Sequence, residues 1–149
     1  MADAGLTDIE DAAWRGFLTT HDRIWRELEA RLAPLDVSMA EYSVLALLGE
    51  SGPKGLRMAD LAERRLMSSS GFSRLADRLE QRHLIERRRS ETDGRSFDAI
   101  LTATGRALLR KAWGQHQRDL RELFFDRLNA SDLEQLAAIW RRLSPEEAE

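Results

Sequence analysis

Side chains suited to binding a polyanion are concentrated between residues 57 and 95. This segment holds ten arginines against seven carboxylates, whereas the rest of the chain holds 13 lysines and arginines against 19 acidic residues. The net charge of −3 over 149 residues therefore conceals a basic stretch. Because salt screens charge over about 10 Å at 0.1 M, a nucleic acid would respond to this local stretch. A merely solvated arginine-rich surface explains the charge equally well.

Groups that would support catalysis or metal binding are not grouped in the sequence. The three histidines, at 21, 83 and 116, lie far apart and lack the spacing of metal ligands. The absence of cysteine excludes disulfides, thiolate metal sites and thiol redox chemistry. Serines 68–70 have no neighbouring base that would activate a nucleophile. We therefore expect no enzymatic activity, no metal and no cofactor.

A helix-turn-helix is predicted where the arginines begin. Residues 58–65 form a short helix, and after a break Ser68 is placed to cap a second helix that runs to about Arg82. In this second helix the residues spaced for a buried face are Phe72, Leu75, Ala76 and Leu79. The candidate DNA contacts are the cap region and the polar face: Ser68, Ser69, Ser70, Ser73, Arg74 and Arg78. Taken alone, such a helix is more often simply solvated on its polar face.

A basic hairpin follows directly. Residues 84–89 and 96–102 have the pattern of two strands, and Asp93-Gly94 between them is a strong hairpin signal. A basic hairpin after a helix-turn-helix is typical of a wing, whose tip would bring Arg95 to a narrow minor groove. The strand arginines Arg87, Arg88 and Arg89 would supply phosphate contacts. This hairpin strongly favours nucleic-acid binding over a merely wet helical surface.

Helices are predicted on both sides of this winged core. Capping-box patterns open helices near Asp8, Met39 and Asp132. The first helix runs over residues 8–33, a long one starts at Thr104 and continues to about Leu128, and the last opens at the box Ser131–Glu134. The last helix is expected to bury Leu133, Leu136, Ala137, Trp140 and Leu143. The predicted fold is mainly α with a small β wing: a single domain, 1–149, with a winged helix-turn-helix core at 38–102 between terminal helices.

At this point the sequence resembles the MarR family of bacterial regulators. The resemblance rests on four motifs: Leu84-Ile85-x-Arg87 followed by Asp93-x-Arg95, Ile100-Leu101-Thr102-x-x-Gly105, Asp60-Leu61-Ala62, and Gly71-x-x-Arg74-Leu75-x-Asp77-Arg78-Leu79. It implies an obligate homodimer on a near-palindromic operator, usually repression relieved by a ligand, and a structural Asp93 that holds a basic side chain near the wing. His83 departs from the pattern, because the family usually has glycine there, as suits a left-handed helix end.

Two apolar stripes support dimerisation independently of the resemblance. They consist of Trp14, Leu18, His21, Trp25, Leu28 and Leu32 near the start, and of Leu109, Trp113, His116, Leu120 and Leu123 near the end. A chain of this length does not easily bury both stripes together with a winged core, so helices 8–33 and 104–149 are expected to form a homodimer. The alternative is that the terminal helices pack on each other within one chain.

An effector site is the least constrained expectation. Proteins of the resembled family bind small, often aromatic and anionic molecules between the DNA-binding module and the dimer helices, and such a pocket requires aromatic walls with a few polar groups. The candidates are Trp14, Arg15, His21, Trp25 and Tyr42. The alternative, that these aromatic residues only fill the dimer interface and form no ligand pocket, explains their presence equally well.

The predicted function is a homodimeric repressor that binds double-stranded DNA and is released by a small molecule. The alternatives are a ligand-independent DNA-binding regulator and a helical protein-interaction module without DNA binding. The chain lacks an apolar run of about 18 residues and a basic, apolar N-terminus, so we expect a cytoplasmic protein without a membrane partner.

Overall fold

The computed structural model describes residues 5–90 and 93–143. Its helices are α1 (Asp8–Leu32), α2 (Met39–Ser51), α3 (Met58–Arg64), α4 (Ser69–Gln81), α5 (Ala103–Leu123) and α6 (Ala130–Leu143). Its strands are β1 (Leu56–Arg57), β2 (Ile85–Arg89) and β3 (Phe97–Leu101). The prediction of a mainly helical chain with a small β wing is confirmed. No single helix in the described ranges is long and apolar enough to cross a membrane; α1 and α2 with their extensions pass that test only as a pair bent by 79°.

The described chain forms two compact units. The larger runs from Trp25 to His116, and the smaller combines the residues up to Ile24 with those from Gln117 onward. The larger unit exceeds the predicted winged core of 38–102, because it includes the end of α1 and much of α5. The elements that would contact DNA all belong to this larger unit.

The core of the larger unit forms around α4. The residues predicted for its buried face, Phe72, Leu75, Ala76 and Leu79, are all at most 2% exposed. They pack against apolar residues of α2, α3 and the sheet, among them Val44, Leu45, Leu48, Leu61, Ile85 and Leu101. Full burial contributes about 1.5–3 kcal/mol for each large apolar side chain, so this packing fixes the rotation of α4.

The wing belongs to a three-stranded antiparallel sheet of order β1-β3-β2. Ile85 pairs with Leu101 at one end of the hairpin and Arg89 with Phe97 at the other. The edge strand β1 was not predicted, because two residues are too few to show strand alternation. Gly55 leads into it with a φ of +72°, and a Cβ there would collide with the carbonyl oxygen of Ala99.

Two of the three predicted capping boxes are confirmed. Thr7 and Glu10 exchange hydrogen bonds at the start of α1, as do Ser38 and Glu41 at the start of α2. The third was misplaced: α6 begins at Ala130, and Asn129 and Asp132 exchange backbone–side chain bonds of 3.0 Å. An asparagine forms this box as well as a serine, so the local pattern allowed either start.

Two predictions for the C-terminal region are wrong. Helix α5 ends at Leu123 instead of near Leu128, and a short 3₁₀ turn, Phe125–Arg127, follows it. The predicted buried residues of α6, Leu133, Leu136, Ala137, Trp140 and Leu143, are not buried; Trp140 is 43% and Leu143 68% exposed. The periodicity identified an apolar face correctly, but a single chain does not cover it.

The motif Leu-Thr-x-x-Gly joins the end of the wing to α4 and α5. The Thr102 hydroxyl donates to the His83 carbonyl at 2.6 Å and accepts from the Gly105 amide at 2.9 Å. Gly105 lies so close to the Leu84 carbonyl that a Cβ would overlap its oxygen. Glycine is therefore required by close backbone approach rather than by an unusual φ.

Replacing Gly105 by alanine is expected to destabilise the fold. Alanine is favoured over glycine by roughly 1 kcal/mol within a helix, but displacing the Leu84 backbone should outweigh this gain and cost about 1–3 kcal/mol net. Gly16→Ala is the matched control, since a Cβ at this position in α1 meets nothing within 4 Å. It should stabilise by about 0.5–1 kcal/mol. Urea unfolding measures both, and equal shifts would contradict the interpretation.

Candidate nucleic-acid interface

The first turn of α4 presents a polar, accessible end. The Ser68 hydroxyl accepts a hydrogen bond from the Gly71 amide at 3.2 Å, which confirms the predicted cap. Ser68, Ser69 and Ser70 are exposed, as are Ser73, Arg74 and Arg78 further along the same helix. These hydroxyls and guanidiniums offer hydrogen-bond donors from the cap and the polar face of one helix, as base edges and phosphates require.

Left-handed residues end both α3 and α4 and allow sharp turns after these helices. After α3, Leu66 adopts a φ of +50°, and the Met67 amide returns to the Ala62 carbonyl at 3.0 Å. After α4, His83 adopts a φ of +55°, and the Leu84 amide returns to the Leu79 carbonyl at 2.9 Å. Both ends are Schellman motifs. His83 thus takes the left-handed conformation that suits glycine, the residue usual at this position in the resembled family.

The tip of the wing is an aspartate-centred turn. The Asp93 carboxylate accepts from the Arg95 amide at 3.1 Å, and the Ser96 amide donates to the Asp93 carbonyl at 2.9 Å. Arg89 closes the turn by donating to the Gly94 carbonyl at 3.1 Å. Arg95 is exposed beside this turn. Residues 91 and 92, which the predicted hairpin also includes, lie outside the described residues.

Arg87, which the sequence predicts as a phosphate contact, is bound by two carboxylates of α4. Its guanidinium forms an ion pair with Asp77 and donates through Nε to Glu80 at 2.8 Å, while its amide donates to Glu80 at 3.2 Å. The side chain is only 27% exposed. Hydrogen bonding raises the pKa of Arg87 and holds the pKa of Glu80 below its ordinary 4.5. Arg87 therefore fastens the wing to α4.

The two following arginines remain more accessible. Arg88 donates to both oxygens of Glu86, at 2.8 and 3.1 Å, in a pair that is exposed on both sides. Exposed pairs of this kind are weak, so a phosphate can replace Glu86 at small cost. Arg89 carries the bond to Gly94 described above and is also exposed. The three strand arginines are thus not equivalent.

A cleft of about 800 Å³ lies beside the C-terminal half of α4. Its charged lining comprises Arg26, Glu29, Asp36, Glu41, Arg78 and Arg82, and Trp25 is its one aromatic residue. The nearly buried Glu41 carboxylate lies 3.4 Å from Arg82 Nη1 and 3.9 Å from Arg78 Nε. Arg82 Nη2 also lies 3.2 Å from the Asp36 carboxylate. The ion pairs that line this cleft therefore connect the C-terminal end of α4 to the start of α2.

The five predicted effector residues do not gather in one place. Only Trp25 lines this cleft. Tyr42 is buried against His116, with ring centroids 4.5 Å apart, and burial together with Glu50 raises the pKa of Tyr42 to about 12. The others lie in the smaller unit: Arg15 pairs with Asp11, and Trp14 and His21 both contact Phe17.

The two predicted dimer stripes divide in a similar way. Leu28, Leu32, His116 and Leu123 are buried within the single chain. Trp14, Leu18, Trp25 and Trp113 are between 38% and 55% exposed. Some stripe residues thus complete the fold of one chain, and only the remainder are available to a second copy.

Several site residues were missed because their partners are distant in sequence. Glu41 and Arg82 are separated by 41 positions, and Asp77 and Arg87 by ten. Arg57, on β1, lines a second cleft with Ser73 and Arg95. No local pattern distinguishes these side chains from solvated charges. One local pattern could have indicated an ion pair: the carboxylates of Asp77 and Glu80 lie on one helix shortly before Arg87 of the following strand.

The fold and the exposed serine and arginine face define a winged helix-turn-helix protein. A MarR family model matches residues 35–96. The solved structure of AbsC, a MarR family transcriptional regulator from Streptomyces coelicolor, is 33% identical, covers 95% of both chains and superposes with a TM-score of 0.90. The chain therefore belongs to the MarR family, which confirms the resemblance inferred from the motifs.

Two further relatives agree with this assignment. Sco3205 from Streptomyces coelicolor, a MarR family transcriptional regulator solved in complex with DNA, is 28% identical over 97% of this chain and 95% of its own, with a TM-score of 0.88. The transcriptional repressor Rv2887 from Mycobacterium tuberculosis is 35% identical over 86 residues, 58% of this chain. The match spans 60% of that repressor's length. These relatives are regulators, which agrees with the expectation of a non-enzyme.

The ion cluster around Arg87 predicts acid sensitivity. The pKa of Glu80 is depressed in the folded state, so the stabilisation it gives is present above its ordinary, unfolded pKa of 4.5 and is lost as pH falls through the folded pKa. Glu80→Gln should flatten the decline in unfolding free energy below pH 5 relative to the wild type. Glu63→Gln, which removes an exposed carboxylate from α3, should leave that decline unchanged. Parallel curves for all three proteins would refute the prediction.

Proposed function

We propose that this protein binds double-stranded DNA sequence-specifically as a homodimeric transcriptional repressor. The observation that carries the proposal is the exposed Ser68–Ser70, Ser73, Arg74 and Arg78 surface of α4, held in one compact unit with the arginine-bearing wing. The start of α4 would enter the major groove, and Arg95 would reach the adjacent minor groove. The DNA complex of the relative Sco3205 supports this proposal.

Residues on α4 divide into two expected classes. Arg74 and the serine hydroxyls would contact base edges and neighbouring phosphates, because they lie in the first two turns. Arg78 lies one turn further and is partly engaged with Glu41 at 3.9 Å. Its contribution should therefore be to the phosphate backbone. Arg88 and Arg89 would add phosphate contacts from the wing.

Homodimerisation is supported by aromatic residues exposed on the smaller unit. Phe17 contacts Trp14 at 5.9 Å and Trp140 at 5.6 Å between ring centroids, yet all three rings are 43% to 55% exposed. A contiguous aromatic patch of this kind is typical of an interaction surface. A second copy would cover it and would place two recognition helices on a near-palindromic operator, about 34 Å apart. DNA as the partner also favours a cytoplasmic location.

The decisive experiment is selection of bound fragments from genomic DNA, followed by gel shifts at several salt concentrations. Arg95→Ala should weaken binding of the selected fragment by about 1–3 kcal/mol while the protein stays folded. Arg110→Ala removes the same charge from an exposed position on α5 and should change the binding free energy by less than about 0.5 kcal/mol. Equal effects of the two variants would refute a wing contact.

Arg74→Ala tests the role of the helix face. If Arg74 reads a base, the variant should lose discrimination between operator variants by about 1–3 kcal/mol. If it contacts only phosphate, all sequences should weaken equally and the log–log salt slope should fall by about 0.9. A variant that changes neither quantity contradicts the assigned face. If the protein binds heparin but selects no genomic fragment, the basic surface is a general polyanion site. If it binds neither heparin nor DNA, the result favours a protein-interaction module.

We further propose that a small aromatic anion relieves repression by binding in the cleft beside α4. Three guanidiniums, from Arg26, Arg78 and Arg82, line this space with Trp25. A carboxylate there would compete with Glu41 for Arg78 and Arg82. Because those ion pairs connect α4 to α2, their replacement would favour a different placement of the recognition helix. The shift cannot exceed the ligand's differential affinity for the two states. The alternative is a regulator that needs no ligand.

Titration with aromatic carboxylates, starting with benzoate, tests this mechanism. Binding should quench the fluorescence of Trp25 and weaken operator binding over the same concentration range. Trp25→Phe should remove the optical signal, and Arg82→Ala should weaken ligand binding by roughly 1.5–3 kcal/mol, as expected for a hydrogen bond to a charged group. Quenching with unchanged operator affinity would refute the coupling, and no response at millimolar concentration would refute the anionic effector.

A further inference from the structure

One residue of the turn between α3 and α4, Leu66, has an unusual conformation and exposure. Leu66 adopts a left-handed backbone conformation, with a φ of +50°, and is 96% exposed. This conformation is uncommon for residues other than glycine, asparagine, aspartate and histidine. The fold therefore bears both backbone strain and a solvated apolar side chain at a single position.

The fold itself does not need a leucine there. The Schellman motif that ends α3 uses only backbone bonds, from Leu66 to Glu63 at 2.9 Å and from Met67 to Ala62 at 3.0 Å. Glycine would form both bonds without strain. By contrast Asp36, also left-handed with a φ of +54°, uses its carboxylate to pair with Arg82 at 3.2 Å. The Leu66 side chain has no such structural use.

The position of Leu66 indicates where its side chain acts. It lies two residues before Ser68, the cap of α4, and therefore within about 7.6 Å of it along the backbone. The next residue, Met67, packs against the core, whereas Leu66 faces solvent. A helix that enters the major groove by its first turn brings the few residues just before it to the groove edge, where deoxyribose and thymine methyl groups offer apolar surface.

We propose that Leu66 is a DNA-contact residue that packs against this apolar surface of the operator. The inference rests on the proposed DNA-binding function and adds a contact without charge to an interface otherwise formed by arginines and serines. Backbone strain at a position that serves no packing is typical of a functional site. The contact would contribute to affinity without releasing counterions, so it would be insensitive to salt.

Leu66→Gly separates this role from folding. Removal of the strain should raise the urea midpoint of the variant above that of the wild type. Its affinity for the fragment selected by the wild type should nevertheless fall by about three- to tenfold, the size expected when part of a leucine is no longer buried. The log–log salt slope should not change. Leu66→Met, which keeps an apolar side chain of similar reach, should bind within about twofold of the wild type.

Deoxyuridine in place of thymine identifies the surface contacted. If the thymine methyl is the partner, this replacement should weaken the wild type but not Leu66→Gly; if deoxyribose is the partner, it should affect both proteins equally. A Leu66→Gly protein that is more stable and binds equally well overturns the inference alone. A less stable or dissociated variant also overturns it, because the side chain would then serve the fold or an oligomer. A wild type that selects no fragment overturns the proposed function itself.

Discussion

The burial of one face of α4 is the constraint on which the rest of the structure depends. Phe72, Leu75 and Leu79 are each at most 2% exposed and form the centre of the core. Since a helix has 3.6 residues per turn, fixing these positions also fixes where Ser70, Arg74 and Arg78 point. The proposed DNA-reading surface is thus a geometric consequence of packing, and it needs no separate device to orient it.

Ion pairs secure the two edges of this helix to its neighbours. On one side Arg87 of the wing binds Asp77 and Glu80, and on the other Glu41 of α2 binds Arg82. The first cluster also has an electrostatic effect. Unpaired carboxylates on α4 would repel phosphate, so their use by Arg87 leaves serines and arginines to dominate the exposed face. Stability and the proposed binding function therefore draw on the same side chains.

Local sequence rules predicted most of the features that depend on neighbours within about four residues, although they misplaced the start of α6 and the end of α5. Helical spacing identified the buried face of α4, the Ser38–Glu41 pattern located the start of α2, and Asp93-Gly94 located the wing. The resemblance to the MarR family, which usually has glycine at this position, indicated the left-handed end at His83. The family motifs also singled out Thr102 and Gly105. The structure supplies the physical reason, because both residues lie against the Leu84 carbonyl.

The sequence by itself thus determined the class of fold, the faces of its helices and the existence of an apolar α6 surface. Tertiary structure decided which charges are paired, since Arg87 and Glu41 meet partners that no periodicity connects to them. It also decided that Trp25 and Tyr42 belong to different environments, and that the α6 face stays uncovered in one chain. The physical reason is that hydrophobic periodicity and capping act over a few residues, whereas ion pairs and burial depend on distant segments brought together by the core.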